Sequence, residues 1–254
     1  MERELFVLAP AALAESWDNV GLLLGDPDRG VTRVLVALDV TEAVADEAIA
    51  WGAELIVAHH PVMNCHWSPV QSVRSDTPQG HLLCKLLRSE IAVICMHTNL
   101  DATPGGVNDA LAAALRVNDP GPLDTATGIG RVGTLAEPLA LRAFVRQVRT
   151  ALQGNGLRYA DAGKPVFRVA VGGGACGDFI DRAVELGCDT FVTADLGYHA
   201  FMDAKGKGIN LIDAGHFPTE DVVCPVLVAY LQKTFPPVEI LKSTSHCEVI
   251  QYEL

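Results

Sequence analysis

Arg33-Val34-Leu35-Val36-Ala37-Leu38 and Leu55-Ile56-Val57-Ala58-His59-His60-Pro61 are two apolar runs separated by a helical stretch. Runs of aliphatic and β-branched residues without polar alternation mark strands covered on both faces, as in a parallel sheet. Between them, Thr41 is placed to cap a helix over Glu42 to Trp51, and Gly52 to stop it. The pattern continues with a helix around Gln79 to Arg88, a strand from Ile91 to Cys95 and a helix from about Val107 to Leu115. Apolar strands joined by helices predict an α/β fold with a mostly parallel sheet.

The segment Asn118 to Thr127 contains Asp119-Pro120-Gly121-Pro122, which reads as a loop and a domain boundary. A strand near Val132 to Leu135, a helix over Leu139 to Leu152, a turn at Gly154-Asn155-Gly156 and a strand from Phe167 to Val171 follow. This second run repeats the first. Arg33-Val34-Leu35-Val36 aligns with Arg168-Val169-Ala170-Val171, and the same shift aligns Ala48 with Ala183, Gly52 with Gly187, Glu54 with Asp189 and Val57 with Val192. Further on, His97-Thr98-Asn99-Leu100-Asp101 matches His216-Phe217-Pro218-Thr219-Glu220, both reading His-x-x-x-carboxylate after an apolar strand. The expected architecture is therefore two similar, pseudo-duplicated α/β halves, 1–125 and 126–254, with C-terminal elements able to pack back on the first.

Composition narrows the function. At 254 residues and 49% hydrophobic the chain can bury a core, and it is too apolar for a disordered one. A net charge of −12, with no Lys/Arg-rich run, argues against a nucleic-acid-binding surface. The seven cysteines are odd in number and scattered without a CxxC pair, which fits reduced thiols and a cytoplasmic location. Leu5 to Ala14 is apolar, but Met1-Glu2-Arg3-Glu4 carries two acids against one base, so an amphipathic first helix is expected rather than a signal peptide. No run of eighteen apolar residues is present, so no transmembrane helix is expected.

The candidate chemistry sits just past strand ends, where α/β sheets bind ligands. His59 and His60 end one strand, and neighbours on an extended chain point opposite ways, so the pair suits two different metal ions. Asp101 follows another strand; His216 and Glu220 follow Leu211-Ile212. Singly, each has a plain reading: a turn aspartate, or a helix start capped by Thr219 with Glu220 in its first turn. Together, imidazoles and carboxylates without thiolates suit Zn, Mn, Fe or Co. Two imidazole-plus-carboxylate sets fit two divalent transition-metal ions with one carboxylate bridging. His97 and His199 are candidates for proton transfer. Asp195 and His199 stand where His60 stands in the first half, as orienting groups or as part of a solvated loop. Gly172-Gly173-Gly174 follows a strand and hints at a phosphate loop, but without a Lys-Ser/Thr partner or GxGxxG spacing it reads as a tight turn before the next helix. Arg74, Arg131 and Lys164 are the cations available to offset the acidic background for an anionic substrate. His66, His81 and His246 fit no pattern.

Four stretches carry a resemblance: Trp17-Asp18-Asn19-Val20-Gly21-Leu22-Leu23-Leu24-Gly25, Val57-Ala58-His59-His60-Pro61, His97-Thr98-Asn99-Leu100-Asp101 and Gly215-His216-Phe217-Pro218-Thr219-Glu220. With these in this order the chain resembles the Nif-three-like family, also called GTP cyclohydrolase 1 type 2 homologues, over nearly its whole length. The resemblance implies a dinuclear metal site in a cleft between the two halves. His59, His60, Asp101, His216 and Glu220 would be its ligands, with Glu220 bridging and His97 close by. It also implies a toroidal homohexamer, a trimer of dimers, in the short form that lacks an inserted middle domain. The implied activity is a metal-dependent hydrolase that attacks GTP, or a related nucleotide-like small molecule, with metal-activated water. The alternative is a non-catalytic metal-loaded ring that binds a metabolite, a metal or a partner protein.

Overall fold

The opening strand–helix–strand run forms where its sequence places it. In the computed structural model, which describes residues 1–64 and 69–253, α1 (Glu2–Leu8) is followed by β1 (Gly21–Leu24), β2 (Arg33–Ala37), α2 (Glu42–Trp51) and β3 (Leu55–Ala58). Then come α3 (Pro78–Arg88), β4 (Ala92–Cys95) and α4 (Thr98–Ala102). Thr41 Oγ1 accepts the Val44 N–H at 3.2 Å, a cap worth about 1 kcal/mol. Gly52 ends α2 at φ 75°, a left-handed conformation that favours glycine. The first helix is shorter than expected. Pro10 forces the residue before it into extended backbone, and Ala9 lies at φ −135°, ψ 91°.

The chain continues through α5 (Val107–Ala114), β5 (Asn118–Pro122), β6 (Arg131–Leu139), α6 (Leu141–Ala151), β7 (Arg158–Ala160) and β8 (Val166–Val171). After these come α7 (Ile180–Glu185), β9 (Thr190–Thr193), α8 (Tyr198–Lys207), β10 (Asn210–Asp213) and α9 (His216–Glu220), and finally α10 (Cys224–Thr234) and β11 (Glu239–Lys242). Two units result. The first holds Met1–Leu100 and Cys224–Cys247; the second holds Asp101–Val223 and the residues from Glu248 on.

In the first unit the strand order is β1-β4-β3-β2-β11. β4, β3, β2 and β11 run parallel, and β1 closes one edge antiparallel to β4. One core joins Leu35, Ile56 and Val93 of the sheet with Val44 and Ala48 of α2 and Leu83 and Leu86 of α3. Each fully buried aliphatic side chain of this size contributes about 1.5–3 kcal/mol.

The second unit has the order β5-β6-β8-β9-β10-β7. Its centre, β8, β9 and β10, is parallel; β6, β5 and β7 are antiparallel additions. Val169, Val171, Val192 and Ile212 face one core with Phe144 and Val148, while Ala170, Phe191 and Leu211 face another with Ile180 and Ala183. Alternate residues feeding opposite cores explain why these strands read as continuous apolar runs.

The expected boundary at 125/126 moves to 100/101. Asn118–Pro122 is a strand of the second sheet, pairing Asn118 with Thr134 and Pro122 with Arg131. It lies at the sheet edge, where proline is tolerated because one side of the strand needs no ladder donor. Cys224–Cys247 belongs to the first unit, and β11 pairs with β2, Ile240 opposite Val34.

The duplication extends to hydrogen-bonding detail. Val34 pairs with Leu55, and Val169 pairs with Thr190, the same register 135 residues on. Glu54 Oε2 accepts the N–H groups of Thr32 (3.0 Å) and Arg33 (2.7 Å). Asp189 Oδ2 accepts those of Phe167 (3.0 Å) and Arg168 (2.7 Å). Arg33 donates to the Trp51 carbonyl, and Arg168 to that of Leu186. The third strands match through Met96 N–H to Ala58 O and Ala214 N–H to Thr193 O, both 2.9 Å. In the second unit one further residue, Gly215 at φ 88°, intervenes before the histidine. Among the described residues no helix is long and apolar enough to cross a membrane.

Candidate metal centre

In the first unit His59 and His60 follow β3 and His97 follows β4. His59 is buried, and its Nδ1 lies 2.8 Å from the Met96 carbonyl oxygen. A carbonyl only accepts, so Nδ1 carries the proton and Nε2 is the atom that can bind a metal. His60 Nδ1 lies 2.7 Å from Asp39 Oδ1, just past the end of β2. His97 Nδ1 lies 2.8 Å from Asp18 Oδ1. One ligand atom from each of His59, His60 and His97 lies within 4.8 Å of the others.

The orienting acids are themselves held. Asp18 accepts the Asn19 N–H (2.7 Å), the Thr98 N–H (2.9 Å) and the Thr98 hydroxyl. Burial pushes its carboxyl up, but the His97 hydrogen bond and charge, with Thr98, outweigh that and hold it at about 2. Asp39 is pulled well below the usual carboxylate range: burial opposes, and hydrogen bonds from His246 and His60 outweigh it.

In the second unit His216 and Glu220 stand four residues apart on α9, which stacks them on one face. His216 Nε2 lies 3.0 Å from Glu220 Oε2, and its Nδ1 lies 2.6 Å from Asp195 Oδ2. Burial works against charge on this ring, yet Asp195 and Glu220 prevail and lift it to about 11. Asp101 offers a carboxylate oxygen within 4.8 Å of one from Glu220. The buried Asn108 links the two acidic segments. Its Nδ2 donates to the Asp101 carbonyl (3.0 Å), and its Oδ1 accepts the Gly173 N–H (2.9 Å).

Gly172-Gly173-Gly174 is a turn shaped around Glu220. Its three N–H groups are spent on Val192 O, Asn108 Oδ1 and Thr219 Oγ1, so they do not cradle a phosphate. A Cβ on Gly174 would fall 2.1 Å from Glu220 Oε1 and 3.1 Å from His216 Nε2. Cys176, beside this turn, donates its thiol to the Gly173 carbonyl at 3.2 Å. Burial, with the charges of Asp101 and Glu220, pushes that thiol well up, so it stays protonated. Among the described residues Cys84, Cys176, Cys188 and Cys247 are free thiols, and Cys65 and His66 lie outside the described residues.

The first unit thus brings His59, His60 and His97 together, and the second Asp101, His216 and Glu220. Asp195 is the orienting partner of His216. His199 lies exposed in the first turn of α8 with its ring 5.4 Å from Tyr198, and it joins none of the ligand groups among the described residues. Arg131 is buried in a clasp on Asp109 (2.8 Å) and the carbonyls of Thr103, Gly128 and Gly130. It braces the loop after Asp101 rather than facing an anion. Arg74 is paired with Asp76 on the surface. Sequence reasoning missed Asp18, Asp39 and His246 as orienting groups. Asp39 carried a usable signal: like His59, it stands just past a strand end. In the duplicated frame Asp39 corresponds to Gly174 and His60 to Asp195. One frame position therefore holds a candidate ligand in one unit and an orienting acid in the other.

Each unit thus offers donors of the types that suit borderline divalent metals: three imidazoles in the first, and one imidazole with two buried carboxylates in the second, every imidazole gripped at Nδ1 by a carboxylate or a carbonyl. The outer partners are those that fix histidine ligands in metalloproteins. The family described as Duf34/NIF3 (NGG1p interacting factor 3) matches residues 3–248. The chain belongs to the Duf34/NIF3 family. Among curated Duf34/NIF3 relatives, a Clostridium perfringens protein named GTP cyclohydrolase 1 type 2 homolog is 37% identical over 232 residues, covering 89% of this chain and 86% of that one. A Streptomyces coelicolor protein of the same name is 37% identical over 240 residues, covering 90% and 83%. Among solved structures, a Bacillus cereus protein related to NIF3 superposes with a TM-score of 0.90 at 26% identity, covering 98% and 96%. A Staphylococcus aureus protein superposes equally well, TM-score 0.90, at 29% identity, covering 99% and 97%.

Proposed function

We propose that this Duf34/NIF3 chain holds two divalent transition-metal ions through His59, His60, Asp101, His216 and Glu220, with Glu220 bridging, and hydrolyses GTP or a related nucleotide-like small molecule. One observation carries the metal reading: every candidate histidine ligand is gripped at Nδ1, which presents Nε2 as the donor. The name borne by the curated relatives supports the substrate class. Ions bound there would supply Lewis acidity and a hydrolytic nucleophile near neutral pH. The chain's own residues do the rest. Asp39, the Met96 carbonyl and Asp195 fix the ring orientations. Asn108 and the glycine turn set the two carboxylates. His97, held at Nδ1 by Asp18, accepts or delivers a proton at Nε2, a role better served by this buried ring than by the exposed His199.

The engagement of Arg74 and Arg131 with their own acids favours a second reading, a metal-loaded ring that binds without turnover. Manganese- or zinc-loaded protein incubated with GTP separates the two, with pterin fluorescence and nucleotide loss followed independently. Pterin formation is expected for ring opening, and both signals vanish in Asp101→Asn. If neither signal exceeds that variant's background for GTP or a panel of nucleotides, the hydrolase reading fails and the binding reading replaces it. We propose also that the chain works in the cytoplasm as a homohexamer, a trimer of dimers. Light scattering is expected to give a mass near six chains; a monodisperse monomer at micromolar concentration contradicts this.

A further inference from the structure

His246 fits no motif in the sequence and lies more than 200 positions from the residue it touches. The route to that contact is regular. β11 runs parallel to β2, and the ladder continues past its end, with Ser243 N–H donating to the Val36 carbonyl at 2.7 Å. Three residues further along both segments, His246 arrives beside Asp39. Glu47 of α2 clasps the segment between, accepting the Ser243 hydroxyl, the Thr244 N–H (2.9 Å), the Thr244 hydroxyl (2.8 Å) and the Ser245 N–H (3.2 Å).

At Asp39 the ring makes two contacts. The Asp39 N–H points to His246 Nδ1 at 3.3 Å, and His246 Nε2 lies 3.2 Å from Asp39 Oδ2. An amide N–H only donates, so Nδ1 is the acceptor and the ring proton sits on Nε2, facing the carboxylate. The other carboxylate oxygen, Oδ1, takes His60 Nδ1 at 2.7 Å. Asp39 is thus held at both oxygens by imidazoles. Its side chain keeps 42% of its exposure, so packing alone does not fix its rotation, whereas His246 keeps only 9% and is fixed.

We propose that His246 is a positioning residue for His60. It locks the Asp39 carboxylate, and Asp39 in turn sets the His60 ring and the direction of its Nε2. The C-terminal segment is then a strap whose purpose is the geometry of one ligand. This inference rests on the metal reading above.

Zinc affinity of the full chain, measured by competition with a chromophoric chelator, tests it. His246→Ala is expected to weaken zinc binding about tenfold, the lower end of the range for outer partners of a metal ligand. His246→Gln restores binding to within about twofold, because its amide offers the same neutral donor and acceptor. The effect of His246→Ala disappears in an Asp39→Ala background, because it acts through that carboxylate. The melting temperature of each metal-free variant is read alongside. If His246→Ala lowers that temperature and leaves zinc affinity unchanged, or weakens zinc equally with and without Asp39, the proposal is overturned while the metal reading stands. If His60→Ala binds zinc as well as the unaltered chain, the metal reading falls and the proposal falls with it.

Discussion

Glu220→Gln strips metal from both positions together, whereas His60→Ala weakens mainly one. Glu220 is 4% exposed, stands 3.0 Å from His216 Nε2 and shares a 4.8 Å group with the Asp101 carboxylate. A carboxylate so placed, if it bridges, contributes charge to both ions, and the amide of Gln contributes none at nearly the same size. The loss is expected to exceed the roughly 10–100-fold that removal of an outer partner costs. Metal retained after dialysis against graded chelator measures it. Equal, small losses from both variants would remove the bridging assignment.

Gly174→Ala is expected to produce a comparable loss from outside the ligand set. The added Cβ would lie 2.1 Å from Glu220 Oε1, too close for non-bonded atoms, so the carboxylate or the turn must move. The turn is held, so the carboxylate, at the end of a flexible side chain, is what shifts, and it leaves its place beside His216 and Asp101. Gly174 N–H is bonded to Thr219 Oγ1, and α9 carries Thr219 and Glu220 together. The residue also sits at φ 63°, so alanine there adds backbone strain of roughly 1–3 kcal/mol. Gly187→Ala separates strain from displacement. Gly187 has φ 74° and nothing within 4 Å of an added Cβ, so that variant is expected to lose stability and keep its metal. Metal content and melting temperature of the two variants are the measurements. Full metal retention in Gly174→Ala would mean that the triple-glycine turn does not shape the site.

The elements that could be read from the sequence are those set by local chemistry. β2, α2 and β3 carry continuous apolar runs, a threonine cap and a glycine stop, and each forms where those signals lie. The duplication was legible because the same residue types recur at one spacing, down to Glu54 and Asp189 gripping the start of the preceding strand. What was not legible depends on distant partners. Asn118–Pro122 looks like a loop because two prolines and a glycine weigh against a strand; only its place at a sheet edge makes it one. The candidate ligands announced themselves by standing past strand ends. Their orienting groups did not, because Asp18 meets His97 across 79 positions and His246 meets Asp39 across 207. The glycine run read as a tight turn because no Lys-Ser/Thr partner follows it, and the destinations of its N–H groups agree.

Metal content tests the central claim most directly. The chain, purified without added metal and then reconstituted with zinc or manganese and freed of excess, is analysed by elemental mass spectrometry. About two transition-metal ions per chain are expected from the two imidazole-and-carboxylate sets. A value of zero after reconstitution would contradict the metal centre and every function built on it.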